Sequence, residues 1–272
     1  MKKLSRILLT SAICGLSILA LIAAPKGHAG GKKPPKNNTG WWLPPLTFIS
    51  LDPANWSIRF SIGMPPKPTQ NPAGPGWFFD FPVHATSNFS DCNTTTCVTP
   101  GPESVAVSCC ESIHYLTVPH AAPLPAGQSL KAVIDISTTG NPVFLYDTEP
   151  GNTGGSPASV RFFVQVLENP RPPPYVMLDE NARWWSNPVA LTLQNTGGAV
   201  LVSVPIDPSQ WSNVSGQRGD LNSNTLAAFN EAMQNHDGIG FTFGGGSFFG
   251  HGVGLAAGGT ARFTLTDLRI EP

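Results

Sequence analysis

Charge is scarce in this chain. Its 272 residues hold 16 Lys and Arg against 17 Asp and Glu, and no stretch gathers the cations into a basic stripe. A nucleic-acid binder needs cationic surface to displace counterions from phosphate, so that class has no electrostatic support. Catalytic motifs are missing too. There is no G-x-S-x-G and no H-E-x-x-H, and no Gly-Lys-Ser/Thr follows the glycine-rich stretch at 244–259. Glu103, Glu111, Glu149, Glu168 and Glu180 fall in expected loops or strand ends. Nothing therefore nominates the facing carboxylate pair that a glycosidase needs.

The N-terminus carries the clearest positive signal. Lys2, Lys3 and Arg6 precede a nearly unbroken apolar run at 7–24, and Gly27-His28-Ala29 supplies small residues at a cleavage site. The run is near the lower limit for a membrane span, and Pro25 follows it directly. Residues 1–29 are therefore read as a cleaved signal peptide, with export to the periplasm or beyond and no membrane span in the mature chain. Residues 30–45 read as a disordered leader, basic and rich in Gly, Pro and Lys, which has too little apolar surface to order itself.

Cysteine is sparse as well, and its placement agrees with export. Of five cysteines, Cys14 leaves with the signal, and Cys92, Cys97, Cys109 and Cys110 remain as an even set in an oxidising compartment. Disulfides are expected, with three pairings open. A vicinal Cys109–Cys110 bond is disfavoured by ring strain. A zinc site is disfavoured because adjacent cysteines lack the gap that lets both sulfurs reach one ion.

Residues 46–272 form the expected single domain. Gly and Pro number 28 each, which fits short strands joined by many turns rather than a helical bundle. Period-two alternation recurs at 56–62, 77–84, 128–137, 159–167, 199–204, 239–243 and 261–270. Only 224–235 shows helical spacing, through Leu226, Phe229 and Met233, with Ser223 or Asn224 as the expected cap. The pattern predicts an all-β antiparallel sandwich or jelly roll with one short helix.

The strings ARWWSNPVALTL, VPIDPSQWSNVSG, IGFTFGGGSFFGHGV and ARFTLTDLRI, with the helix before the closing strands, resemble the galactose-binding-like jelly rolls of carbohydrate-binding modules. The resemblance spans roughly residues 128–272 and rests on the order of elements. It implies a glycan or polysaccharide partner and a fold that often carries a structural calcium ion. The D-x-N-x-N run at 220–224 has calcium-loop spacing, but Thr225 stands where the loop glycine belongs and a helix begins inside it, so capping is the better reading. No cofactor is otherwise implied.

Sugars present apolar faces and hydroxyl edges, so a binding face combines aromatic rings with polar side chains. Alternation puts Arg161, Phe163 and Gln165 on one face, opposite Val160, Phe162 and Val164. Arg183 and Trp185 share a face, as do Asp80 and His84. Convergence of these faces would make a polar groove with an aromatic floor; the competing reading is an Arg161–Asp80 pair inside the fold, with the tryptophans as core. Adjacent Trp184 and Trp185 point to opposite sides of a strand, so one indole is expected at a surface. Trp184, Trp185, Arg161, Asp80 and Trp211 are the candidate ligand-binding residues. The expected function is non-catalytic carbohydrate binding at the cell envelope or outside the cell. A structural or adhesive protein-interaction module and a sandwich-fold glycoside hydrolase are the alternatives.

Overall fold

The computed structural model describes residues 46–59, 67–83, 96–98, 106–108, 112–146, 156–166, 180–187, 191–246, 252–256 and 258–272, all within the unit Leu43–Pro272. The expected signal peptide and leader, His84, Cys92, Cys109 and Cys110 lie outside the described residues. Among the described residues no helix is long and apolar enough to cross a membrane.

Short strands follow the turn signals along the chain. β1 (Thr47–Phe48) leads to a 3-10 turn at Pro53–Asn55, which Asp52 caps by accepting from the Ala54 amide at 2.9 Å. β2 (Ser57–Arg59), β3 (Thr69–Gln70) and β4 (Trp77–Asp80) come next. β5 (Thr96–Val98) and β6 (Ala106–Ser108) form a small ribbon in which Cys97 lies opposite Val107. β7 (Tyr115–Pro119), β8 (Ser129–Gly140), β9 (Phe144–Tyr146) and β10 (Ser156–Gln165) follow. Then come β11 (Arg183–Ser186), β12 (Leu191–Thr192), β13 (Val200–Pro205) and β14 (Trp211–Asn213). The helix α1 (Ser223–Asn235) precedes β15 (Gly238–Gly246), β16 (Val253–Leu255) and β17 (Gly259–Glu271).

The fold is an antiparallel β-sandwich with one α-helix among the described residues. The first sheet runs β13-β8-β17-β4-β3, with β1 also on β17; the second runs β14-β11-β10-β15-β7-β2, with β12 also on β10. Period-two alternation puts Leu130, Ala132, Ile134 and Ile136 of β8 inward, facing Leu116, Val160, Phe162 and Phe241 of the second sheet in one buried cluster. Strand β17 needs a correction of phase to stay in that core. Its inward set is Ala261, Phe263 and Leu265, then Leu268 and Ile270, and the register shift between Leu265 and Asp267 supplies the extra residue. Without that bulge Asp267 and Arg269 would turn into the core.

Aromatic rings join the two sheets. Phe263 lies 5.7 Å from Phe241 and 5.6 Å from Phe243 across the interior, and Trp56 meets Trp77 edge-on at 4.7 Å. These separations are those of favourable ring pairs.

The helix differs in detail from its expected form. Asn222, rather than Ser223 or Asn224, is the cap: its side chain accepts from the Asn224 and Thr225 amides, and the Thr225 hydroxyl accepts from the Asn222 amide. The buried face is Thr225, Phe229, Ala232 and Met233, an i, i+4, i+7, i+8 stripe, and Leu226 falls at its edge and is exposed. Within the glycine-rich stretch, β15 continues to Gly246, and β16 pairs with β9.

Gly76 enters β4 with φ of +85°, and a Cβ there would lie 1.8 Å from the Leu265 carbonyl oxygen. A left-handed backbone costs a side-chain-bearing residue roughly 1–2 kcal/mol before any clash. Gly76→Ala should therefore lose more than about 2 kcal/mol of stability. Urea unfolding checks this, and an unchanged midpoint would contradict the close packing of β4 on β17.

Candidate functional site on the outer face of the second sheet

The second sheet has two loaded faces. Its registers align Tyr115, Thr242 and Arg161 across β7, β15 and β10. The next row is Thr117, Gly240, Phe163, Trp185 and Ser212, and the row beyond it is Gly238, Gln165 and Arg183. These residues point away from the main core because each alternates with an inward one. Arg161, Phe163, Gln165, Arg183 and Trp185 thus lie on one face. Tyr115 and Thr242 join them, and sequence reasoning did not single them out. The signal for Tyr115 was present: Tyr115 and Thr117 alternate with the core residues Leu116 and Val118.

This outer face is buried, unlike the usual solvated side of a sandwich sheet. Tyr115, Phe163 and Trp185 form a second apolar cluster, and the Tyr115 and Phe163 rings are 4.6 Å apart. Gly240 lies between Thr117 and Phe163, where a Cβ would come within 2.0 Å of the Leu116 carbonyl oxygen. A glycine inside a strand marks such a close approach.

The polar groups of the face are tied to backbone and amide partners. Arg161 Nη1 donates to the Ser186 carbonyl and to Asn187 Oδ1, both at 2.8 Å, and Asn187 Nδ2 donates in turn to Ser212 Oγ. Burial draws the Arg161 guanidinium down to about 10, still cationic at neutral pH. Arg183 Nη1 reaches the Tyr115 hydroxyl at 3.5 Å. Burial raises the Tyr115 phenol, and the Arg183 charge opposes that rise in part. Among the described strand positions of this face none is Asp or Glu.

The other expected site residues stand elsewhere. Trp184 is 0% exposed and fills the main core, edge-on to Phe229 at 5.3 Å, with its indole donating to the Asn181 carbonyl. Trp185 is only 5% exposed, so neither indole of the pair is at a surface. The expectation failed because both faces of this sheet are covered. Trp211 is also core, and its indole donates to the Pro205 carbonyl at 2.9 Å. Asp80 belongs to the outer face of the first sheet, where it is exposed and takes a bidentate bond from Arg262 at 2.7 and 2.9 Å. Arg262 in turn covers the Phe78 ring at 3.8 Å. The sandwich interior stands between Asp80 and Arg161, so they form neither a shared groove nor an ion pair.

The calcium spacing is taken apart by the same local bonds that make the helix. Asp220 accepts from Arg218, Asn222 caps α1, and Ser223 already begins it. Among the described residues no group of three or more His, Cys, Asp and Glu is placed to hold a metal. Among the described residues, Ser112 Oγ lies 2.8 Å from His114 Nε2. Ser112 is fully buried, and the His114 ring packs so close to Gly252 that a Cβ there would sit 2.4 Å from it.

The placement of Trp184 has a direct test. Trp184→Ala should cost about 3–5 kcal/mol, as expected for removing a large ring from a filled core. Urea unfolding measures this, and a loss under about 1 kcal/mol would contradict the core position. Comparison with known protein families, with curated proteins and with solved structures found no match for this chain.

Proposed function

We propose that this is an exported, non-catalytic β-sandwich protein that binds carbohydrate through the outer face of its second sheet. The observation that carries the reading is the meeting of Tyr115, Phe163 and Trp185 with Arg161, Arg183 and Gln165 on that one face. Rings beside cationic and amide donors match the C–H face and the hydroxyls of a pyranose, which would reach them where the layer covering this face opens. The resemblance of residues 128–272 to galactose-binding-like jelly rolls supports the same class, as does the export signal at 1–29. In the exported protein Cys92, Cys97, Cys109 and Cys110 are proposed to pair as two disulfides.

A second reading has its own observation. The rings of this face are buried, which favours a structural or protein-interaction module whose outer cluster serves packing. A glycan array with affinity electrophoresis separates the two. Carbohydrate binding predicts retention by at least one polysaccharide, weakened about tenfold or more in Trp185→Ala and largely kept in Trp185→Phe. No retention by any polysaccharide, with Trp185→Ala changing stability alone, would favour the structural module.

A further inference from the structure

At the end of this face the chain holds two histidines against each other. His120 follows β7 and His236 caps the C-terminus of α1. His120 Nδ1 and His236 Nε2 are 3.0 Å apart, with ring planes 8° from parallel and centroids at 5.3 Å. Parallel rings with facing nitrogens at that separation share one proton in line. A single metal ion would need the two lone pairs to converge at an angle, with Zn–N distances near 2.0–2.1 Å. The geometry is that of a hydrogen-bonded pair, with one nitrogen donating and the other accepting.

The pair closes a seam of backbone bonds. The His120 amide donates to the Asp237 carbonyl at 3.0 Å, the Asp237 amide to the Gln165 carbonyl at 3.0 Å, and the Leu124 amide to the Met233 carbonyl at 2.9 Å. The seam fastens segment 120–124 and the end of α1 to β10, beside the row of Gly238, Gln165 and Arg183. His236 is buried and His120 half-buried.

We propose that the His120–His236 hydrogen bond is an acid-released latch that holds the end of α1 and segment 120–124 against the edge of the second sheet. Protonating both rings removes the acceptor and sets two cations face to face, with the deeper one desolvated. Asp237 is the acidic group that favours a proton on His236, assisted by the Ala232 and Met233 carbonyls at the helix end; no well-aligned hydrogen bond forms at Nδ1. Other charged groups of the neighbouring elements have partners or places of their own. Glu231 of α1 is exposed and accepts from Asn235, Glu180 accepts from Ser215, and Arg183 stands across Gln165 on β11.

The sign follows from the direction of the shifts. Burial and the neighbouring imidazole lower His236 to about 4, and burial lowers His120 as well. Folding therefore favours the neutral rings. The stabilisation is complete above the ordinary histidine value near 6.5 and is lost as pH falls from there toward about 4.

Hydrogen exchange on the full chain tests the latch, comparing residues 120–124 and 222–237 with β8 between pH 7 and pH 4.5, after correction for intrinsic rates. The expected result is at least about tenfold loss of protection at the seam while β8 stays protected. His120→Gln should move that loss to lower pH, because a neutral amide replaces the repelling cation. Equal protection at both pH values would overturn the proposal. So would loss of β8 in step with the seam, or the same acid midpoint in His120→Gln as in the parent.

Discussion

The structure depends on one strand being satisfied on both sides. β10 is paired with β15, β11 and β12, and its residues alternate between two different environments. Val160, Phe162 and Val164 enter the sandwich core; Arg161, Phe163 and Gln165 enter the outer layer. A one-residue slip would put a guanidinium and an amide among the aromatic rings of the core and three apolar side chains among the polar groups of the outer layer. The register is therefore specified twice, once by apolar burial and once by the hydrogen bonds of Arg161 to Ser186 and Asn187. The same register brings Tyr115, Phe163 and Trp185 together without any of them being near in sequence.

Two features of the backbone let the sheets close around that strand. The bulge in β17 keeps Leu268 and Ile270 in the core after Leu265, and it leaves Asp267 and Arg269 outside to pair with each other. Gly240 and Gly76 allow backbone to approach where any Cβ would collide. Inside, the ring pairs among Trp77, Phe79, Phe241, Phe243 and Phe263 bind the sheets along the middle of the sandwich. The outer face of the first sheet is ordinary by contrast. Its Asp80–Arg262 pair is solvated, and such pairs add little to stability.

Much of the architecture was legible because it follows from period two. The inward sets of β4, β8 and β10, the closing strand β17 and the single helix can all be read from spacing. The site was legible only in part. Alternation assigns Arg161, Phe163 and Gln165 to one face and Arg183 and Trp185 to one face, but which strands pair is a property of the fold. Tyr115 and Asp80 show the consequence: the first was missed and joins the face, whereas the second was expected there and lies on the opposite sheet. Trp184 and Trp185 show a second limit. Adjacent strand residues do point apart, yet exposure also requires that one side of the sheet be open, and here both are covered. The helix cap moved to Asn222 because three side chains in a row can cap and only the reciprocal bond with Thr225 decides among them.

Saccharide binding on the aromatic and cationic outer face of the second sheet, as proposed, requires the layer over Trp185, which is 5% exposed, to open. The most direct measurement is the indole N–H spectrum of nitrogen-labelled protein during titration with a retained polysaccharide, each signal assigned by Trp→Phe substitution. Saccharide binding at this face should shift the Trp185 signal in a saturable manner while those of Trp184 and Trp211 stay fixed. Shifts confined to other indoles, or a Trp185 signal unmoved at saturation, would contradict it.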